Sequence, residues 1–236
     1  MDKAVLARPA STVVLLRDGA RGLETLLLKR NKALMFAGGV WVFPGGAIEA
    51  ADRTAAADDP DRAARLAAVR EAREECGLAP LPERMQLISR WITPEVEPKR
   101  FDTRFYAAPV DGAGDVVIDG SEIHDARWLP VREAVEFQEQ GELGLLPPTF
   151  ITLCDLARFD SLASFLARGE RAAPPQVMPV IGKEDGQLLV MFPGDAGYDR
   201  GDATTPGPRH RAVLCEGRWH YRYQGVDAAW PSLVHG

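Results

Sequence analysis

The stretch Asp59-Pro60-Asp61, followed after eight residues by Arg70-Glu71-Ala72-Arg73-Glu74-Glu75-Cys76-Gly77-Leu78, holds the strongest local signals in the chain. Asp59 is suited to cap a helix, Pro60 to its first position and Asp61 to its first turn, and Gly77 stands where a left-handed stop residue belongs. The residues between are rich in Ala, Arg and Glu, all good helix formers. On a helical wheel, Leu66, Val69, Arg73 and Cys76 fall along one side, and Glu71, Glu74 and Glu75 share an arc of roughly 100° nearly opposite. One side is therefore expected to pack on a sheet while the other presents three carboxylates. Like charges at i,i+3 and i,i+4 destabilise a helix by a few tenths of a kcal/mol each. A hard divalent cation would turn that repulsion into coordination, bridging carboxylates to substrate phosphates. Taken alone, such a face is more often solvated surface paired with arginines such as Arg70 and Arg73, so its neighbours in the chain decide.

Upstream, 12–17 and 24–29 are apolar runs joined by Asp18-Gly19-Ala20-Arg21-Gly22, a hairpin pattern. Trp41-Val42-Phe43 predicts a short strand stopped by Pro44-Gly45-Gly46, and the Ala/Asp-rich residues 47–61 predict a surface loop. Downstream, strands are predicted over 85–91, 104–110 and 126–129, and helices over 131–140 and about 148–166. After Pro174-Pro175 the tail predicts strands 188–192, 212–215 and 219–223 around a Gly/Pro/Asp loop, 193–209. Strands on both sides of a long helix predict a mixed α/β sandwich. Residues 1–170 are taken as its domain. Residues 171–236 are taken as an extension packing on the same domain or on a partner subunit, a homodimer being the commonest assembly.

Composition narrows the function. The 236 residues are 46% hydrophobic and suffice for one large core. With 28 Lys+Arg against 34 Asp+Glu, the net charge of −6 argues against a nucleic-acid binder and requires any anionic ligand to be held by local cations or backbone N–H groups. No apolar run approaches the ~18 residues of a membrane helix, and no signal peptide is evident. Three scattered cysteines, Cys76, Cys154 and Cys215, make no disulfide framework, so a cytoplasmic setting is expected. Walker A, GxGxxG, GxSxG and HExxH patterns are absent. The histidines have no ligand spacing, and His124 beside Glu122 suits a structural role.

The sequence Gly45-Gly46 followed by Arg70-Glu71-Ala72-Arg73-Glu74-Glu75-Cys76-Gly77-Leu78 resembles the Nudix box. That box runs Gly, five residues, Glu, seven residues, then Arg-Glu-aliphatic-x-Glu-Glu-x-Gly-aliphatic. The second half matches closely. In the first half the box's Glu falls on Asp52, with Glu49 as the alternative, and ten extra residues precede the metal-binding turn. They are expected in the loop before Asp59, where added length costs little entropy. The resemblance implies a Nudix-type α/β/α sandwich around a mixed sheet, with a C-terminal extension containing a long helix and a small β element. It implies a Mg²⁺- or Mn²⁺-dependent hydrolase acting on a small diphosphate substrate, with Glu71, Glu74 and Glu75 as metal ligands and Arg70 orienting a glutamate. Gly45 and Gly46 would let the backbone approach the substrate closely. Glu122 is the candidate for a further ligand or general base, with Glu95 and Glu97 as rivals.

Leu27-Leu28-Lys29-Arg30, Gly39 and Phe43-Pro44-Gly45-Gly46 partly resemble the element upstream of the box in coenzyme A diphosphatases, although Met35 stands where that element has a basic residue. The insertion in the box, Trp91-Ile92-Thr93-Pro94 and Arg100-Phe101-Asp102-Thr103-Arg104-Phe105 resemble the peroxisomal acyl-coenzyme A diphosphatase branch and its bacterial relatives. This implies coenzyme A or acyl-coenzyme A as substrate. Lys29, Arg30, Lys32, Lys99, Arg100 and Arg104 are candidate partners for the 3′-phosphate, and Trp91, Phe101 or Phe105 for the adenine. The alternatives are ADP-ribose, a nucleotide sugar or a dinucleotide as substrate, or a non-catalytic sensor of nucleotide metabolites. The three intact glutamates favour an enzyme.

Overall fold

The computed structural model describes residues 5–31, 39–111, 115–118, 120–169 and 173–234. Strand β1 (Arg8–Gly19) and β2 (Gly22–Arg30) form the expected hairpin, followed by β3 (Trp41–Val42), β4 (Gly45–Ala47), α1 (Ala50–Ala55) and α2 (Pro60–Cys76). Next come β5 (Gln86–Ile92), β6 (Phe101–Pro109), β7 (Ile123–Pro130), α3 (Val131–Glu139), α4 (Pro147–Leu156) and α5 (Leu162–Ala167). The tail supplies β8 (Gln176–Val177), β9 (Val180–Glu184), β10 (Gln187–Met191), β11 (Arg209–Cys215) and β12 (Arg218–Gln224).

A mixed sheet runs β3-β2-β1-β6-β5-β8, with β4 paired to β1 and β7 to β2. Only β1–β6 and β5–β8 are parallel among its named pairs. Alternation along β1 divides its side chains between two cores. Val13 and Leu15 join Tyr106 and the alanines of α2 on one face. Val14 and Leu16 join Phe105, Phe150 and Leu153 on the other. The antiparallel sheet β12-β11-β10-β9 packs into this second core through Val190, Phe192, Ala212 and Trp219. Its own loop is pinned by Arg211, fully buried and held by both oxygens of Asp195 at 2.7 and 2.8 Å and by Glu184 at 3.0 Å.

Three expectations need correction. The helix predicted over 148–166 is two helices. Ser161 caps α5 by accepting the Ser164 N–H, and Asp18 accepts the Leu162 N–H at 2.7 Å, which ends any continuation from α4. The apolar spacing persisted across the break because both helices face one core. The loop predicted over 47–61 holds α1, whose capping box pairs Glu49 with Asp52. Lastly, α2 packs through Ala64, Ala67, Ala68 and Ala72, while Leu66 and Val69 are only half-buried and Arg73 is exposed. Small side chains bring the helix close to the sheet, so the wheel's packed face is rotated towards Glu75. No helix among the described residues is long and apolar enough to cross a membrane.

Candidate active site

Rotation of α2 grades its three carboxylates. Glu75 is 7% exposed, whereas the side chains of Glu71 and Glu74 are 16% and 59% exposed. The expected caps fix the helix: Asp59 accepts the N–H groups of Asp61 and Arg62 at 2.9 Å, and Gly77 ends it with φ 76°.

Arg70 ties this face together. Its guanidinium donates to both oxygens of Asp52 at 3.3 and 3.1 Å, to Glu71 at 2.9 Å, to Glu74 at 3.2 Å and to the Ala47 carbonyl at 3.0 Å. A planar fork with five donors can serve that set, whereas a lysine could not. The extra residues between Asp52 and α2 leave this contact intact, because α1 and a turn through Ala57 and Asp58, both at positive φ, fold back on the helix.

The glycine pair sits where β4 passes between β1 and α2, with Gly45 opposite Thr12 and Gly46 opposite Ser11. The Gly45 N–H donates to Glu75 Oε2 at 3.0 Å. A Cβ on Gly45 would lie 2.6 Å from the Ser11 carbonyl, and one on Gly46 would lie 2.3 Å from Glu71 Oε1. Side chains at these positions would push into backbone and carboxylate respectively.

Glu122 is brought across from the far side of the chain by pairing of β2 with β7. The register shifts between Lys29 and Arg30, so that Arg30 faces Ile123, and the Asn31 N–H donates to the Glu122 carbonyl at 2.8 Å. Arg30 then approaches the Glu122 carboxylate at 3.9 Å.

Part of this set opens into one cavity of about 620 Å³, whose lining leaves out Asp52, Arg70 and the exposed Glu74. Glu71, Glu75, Glu122, Arg30, Gly45 and Gly46 all line it, as do Trp91, Phe101 and Phe105. Arg100 and Arg104 are placed elsewhere. Arg100 is buried, donating to the Val5 and Thr93 carbonyls at 2.7 and 3.1 Å. Arg104 donates to the Pro60 carbonyl on the α2 face of β6, opposite the cavity-lining side chains at 101, 103 and 105. Alternation along β6 makes the two faces exclusive. Lys29 lies over the Trp41 ring, Lys99 lines the cavity together with Glu97, and Lys32 and Met35 fall outside the described residues. Sequence reasoning missed Arg8, which also lines the cavity. Its pairing opposite Phe101 on the neighbouring strand brings it there, and no local pattern announces it.

Burial pushes the Glu75 carboxyl up to about 8, and the like charges of Glu71 and Glu122 add to the rise against the Gly45 N–H and Arg30. Burial also raises Glu71, with Arg70 opposing it. Among the described residues no three acidic or imidazole groups converge on one point. Arg70 draws Glu71 and Glu74 to itself. The residues nonetheless fit a hard divalent cation such as Mg²⁺ or Mn²⁺. The donors are all oxygens, they crowd like charge beside a partly buried cavity, and the positive charge of a cation would offset the burial penalty that holds Glu75 above its ordinary range.

Residues 6–148 match the family model of the NUDIX domain. The chain is 26% identical over 228 residues to "Putative nudix hydrolase 7" of Caenorhabditis elegans, across 81% of this chain and 74% of that protein. It is 28% identical over 134 residues to the acyl-coenzyme A diphosphatase NUDT19 of Xenopus laevis, across 54% of this chain but 35% of that protein. Among solved structures, a NUDIX hydrolase from Alicyclobacillus acidocaldarius superposes with a TM-score of 0.65 at 26% identity, covering 73% of this chain and 100% of that one.

Proposed function

Because the chain belongs to the Nudix family of diphosphate hydrolases, we propose that its substrate is coenzyme A or acyl-coenzyme A, cleaved to 3′,5′-ADP and a 4′-phosphopantetheine compound. The observation that carries this reading is the cavity, in which the carboxylates Glu71, Glu75 and Glu122, the cations Arg8, Arg30 and Lys99 and an aromatic floor share one space. The likeness to the amphibian acyl-coenzyme A diphosphatase supports it over part of the chain.

In the proposed mechanism Glu71, Glu74 and Glu75 are the residues that would hold Mg²⁺ or Mn²⁺. Such ions, when bound, neutralise the diphosphate and make phosphorus more electrophilic. Arg70 orients Glu71 and Glu74, and the Gly45 N–H fixes the Glu75 carboxylate. Arg30 steadies the diphosphate. Glu122 takes the proton of a water whose oxygen attacks one phosphorus in line, while the bridging P–O bond breaks and the other phosphate leaves as its anion. Lys99 and Arg8 meet the 3′-phosphate, and Phe101 between them in the fold meets the adenine.

The test is product analysis with coenzyme A, 3′-dephospho-coenzyme A, ADP-ribose, nucleotide sugars and dinucleotides in Mg²⁺ or Mn²⁺. The expected result is 3′,5′-ADP from coenzyme A, with kcat/KM falling at least tenfold when the 3′-phosphate is missing. Turnover of ADP-ribose far above that of coenzyme A would overturn the assignment.

A further inference from the structure

We infer that the C-terminal sheet is the wall that selects the substrate's acyl arm, with Ile181, Leu188, Val190 and Trp219 holding an apolar chain attached at the thiol end. The inference rests on the coenzyme A reading and adds to it the part of the chain beyond residue 170.

The cavity lies between two surfaces. Below are the main-sheet side chains of β1, β5 and β6, and above are the start of α4 and the C-terminal sheet. What the C-terminal sheet and its approach segment contribute is wholly apolar: Pro179, Ile181, Leu188, Val190 and Trp219. Ile181 and Val190 are register partners on β9 and β10, and Leu188 is two residues from Val190, so all three project to the same face. Leu188 is 37% exposed, a large apolar side chain left open on a cavity wall. The wall is anchored rather than loose. The Trp219 indole N–H donates to the Leu145 carbonyl at 2.8 Å just before α4, and Gln138 donates to the Trp219 carbonyl at 3.3 Å. Trp91 and Phe105 line the opposite side, so an entering chain would be covered from both surfaces.

The rest of the rim has a different chemistry. Arg8 and Lys99 are exposed cations flanking Phe101, and Lys99 lies over that ring. A cavity with two exposed cations, Arg8 and Lys99, beside Glu97 at one end and an apolar wall at the other suits a diphosphate whose two arms differ in polarity. ADP-ribose or a dinucleotide would set sugar hydroxyls against Leu188 and Val190, leaving them without hydrogen-bond partners.

The experiment measures kcat/KM of the full chain with coenzyme A and its acetyl, hexanoyl and decanoyl thioesters, alongside ADP-ribose. The parent protein is expected to gain about two- to fourfold per buried methylene until the cavity is filled. Leu188→Gln and Ile181→Thr should each cut the decanoyl-to-free coenzyme A ratio at least tenfold, and Leu188→Met should restore it. Circular dichroism and thermal melting identify any variant that fails to fold, and Leu188, being partly exposed, gives the more tolerant site. Indifference of the parent to chain length overturns the inference, as does an equal loss on free and acylated substrate in both variants. Cleavage of ADP-ribose with no hydrolysis of any coenzyme A compound overturns the underlying substrate assignment instead.

Discussion

Replacing Glu75 by Gln should make the metal-free protein more stable and the enzyme nearly inactive. In the folded chain the carboxyl is raised from 4.5 to about 8, chiefly by burial. For an acid raised on folding, the folded state gains nothing below about pH 4.5, where folded and unfolded chains are both protonated. Between 4.5 and 8 the unfolded chain releases its proton while the folded one keeps it, so stability declines as pH rises. Above 8 the full penalty is present. A shift of this size corresponds to at most about 5 kcal/mol. Because Glu75 lines a cavity that water can enter, about 2–3 kcal/mol is the expected gain for the variant at pH 9. Gln keeps an oxygen to accept the Gly45 N–H, so the packing is preserved. Urea unfolding in EDTA at pH 5, 7 and 9 measures the difference directly. It should be near zero at pH 5 and largest at pH 9, while turnover in Mg²⁺ falls by orders of magnitude. A difference that does not change with pH, or a parent more stable than the variant at pH 9, would refute the reasoning.

Arg70→Lys can no longer serve Asp52, Glu71, Glu74 and Ala47 together, and metal affinity and turnover should fall about 10–100-fold, measured by Mn²⁺ titration and initial rates. Gly46→Ala drives its Cβ into Glu71 Oε1, the movable end of a side chain; the melting temperature should change little while metal affinity drops about tenfold or more, and wild-type affinity would contradict the close approach. Glu122→Gln should lower kcat about 10²–10⁴-fold in steady-state turnover, a loss absent if Glu122 does not accept the proton. Asp195→Ala leaves the fully buried Arg211 guanidinium with Glu184 and the Ala203 carbonyl but without its two-oxygen partner and should cost about 3 kcal/mol in urea unfolding, the low end for breaking a buried pair; a loss under 1 kcal/mol would mean that the Asp195 pair does not hold the C-terminal sheet.

The chain announces its chemistry locally and its substrate globally. Asp59, Pro60 and Gly77 delimit α2 by rules that operate within a few residues, and the spacing of Glu71, Glu74 and Glu75 is fixed by helix geometry alone. Which of these carboxylates is buried was not legible, because alanine packing against β1 and β6, rather than the most apolar wheel face, sets the helix rotation. Asp52 reached its place beside Arg70 through α1, which the Ala/Asp composition of that segment concealed. Arg100 and Arg104 read as free cations, and only strand alternation and the Val5, Thr93 and Pro60 carbonyls removed them from the cavity. Arg30 and Glu122, over 90 residues apart, meet through a register shift between β2 and β7. Arg8 and the apolar wall of β9, β10 and Trp219 have no sequence pattern, since they are assembled by pairing between distant strands and by packing of one sheet over another. Short-range geometry thus specified the acidic helix. Long-range pairing, which depends on the whole core condensing at once, decided what surrounds it.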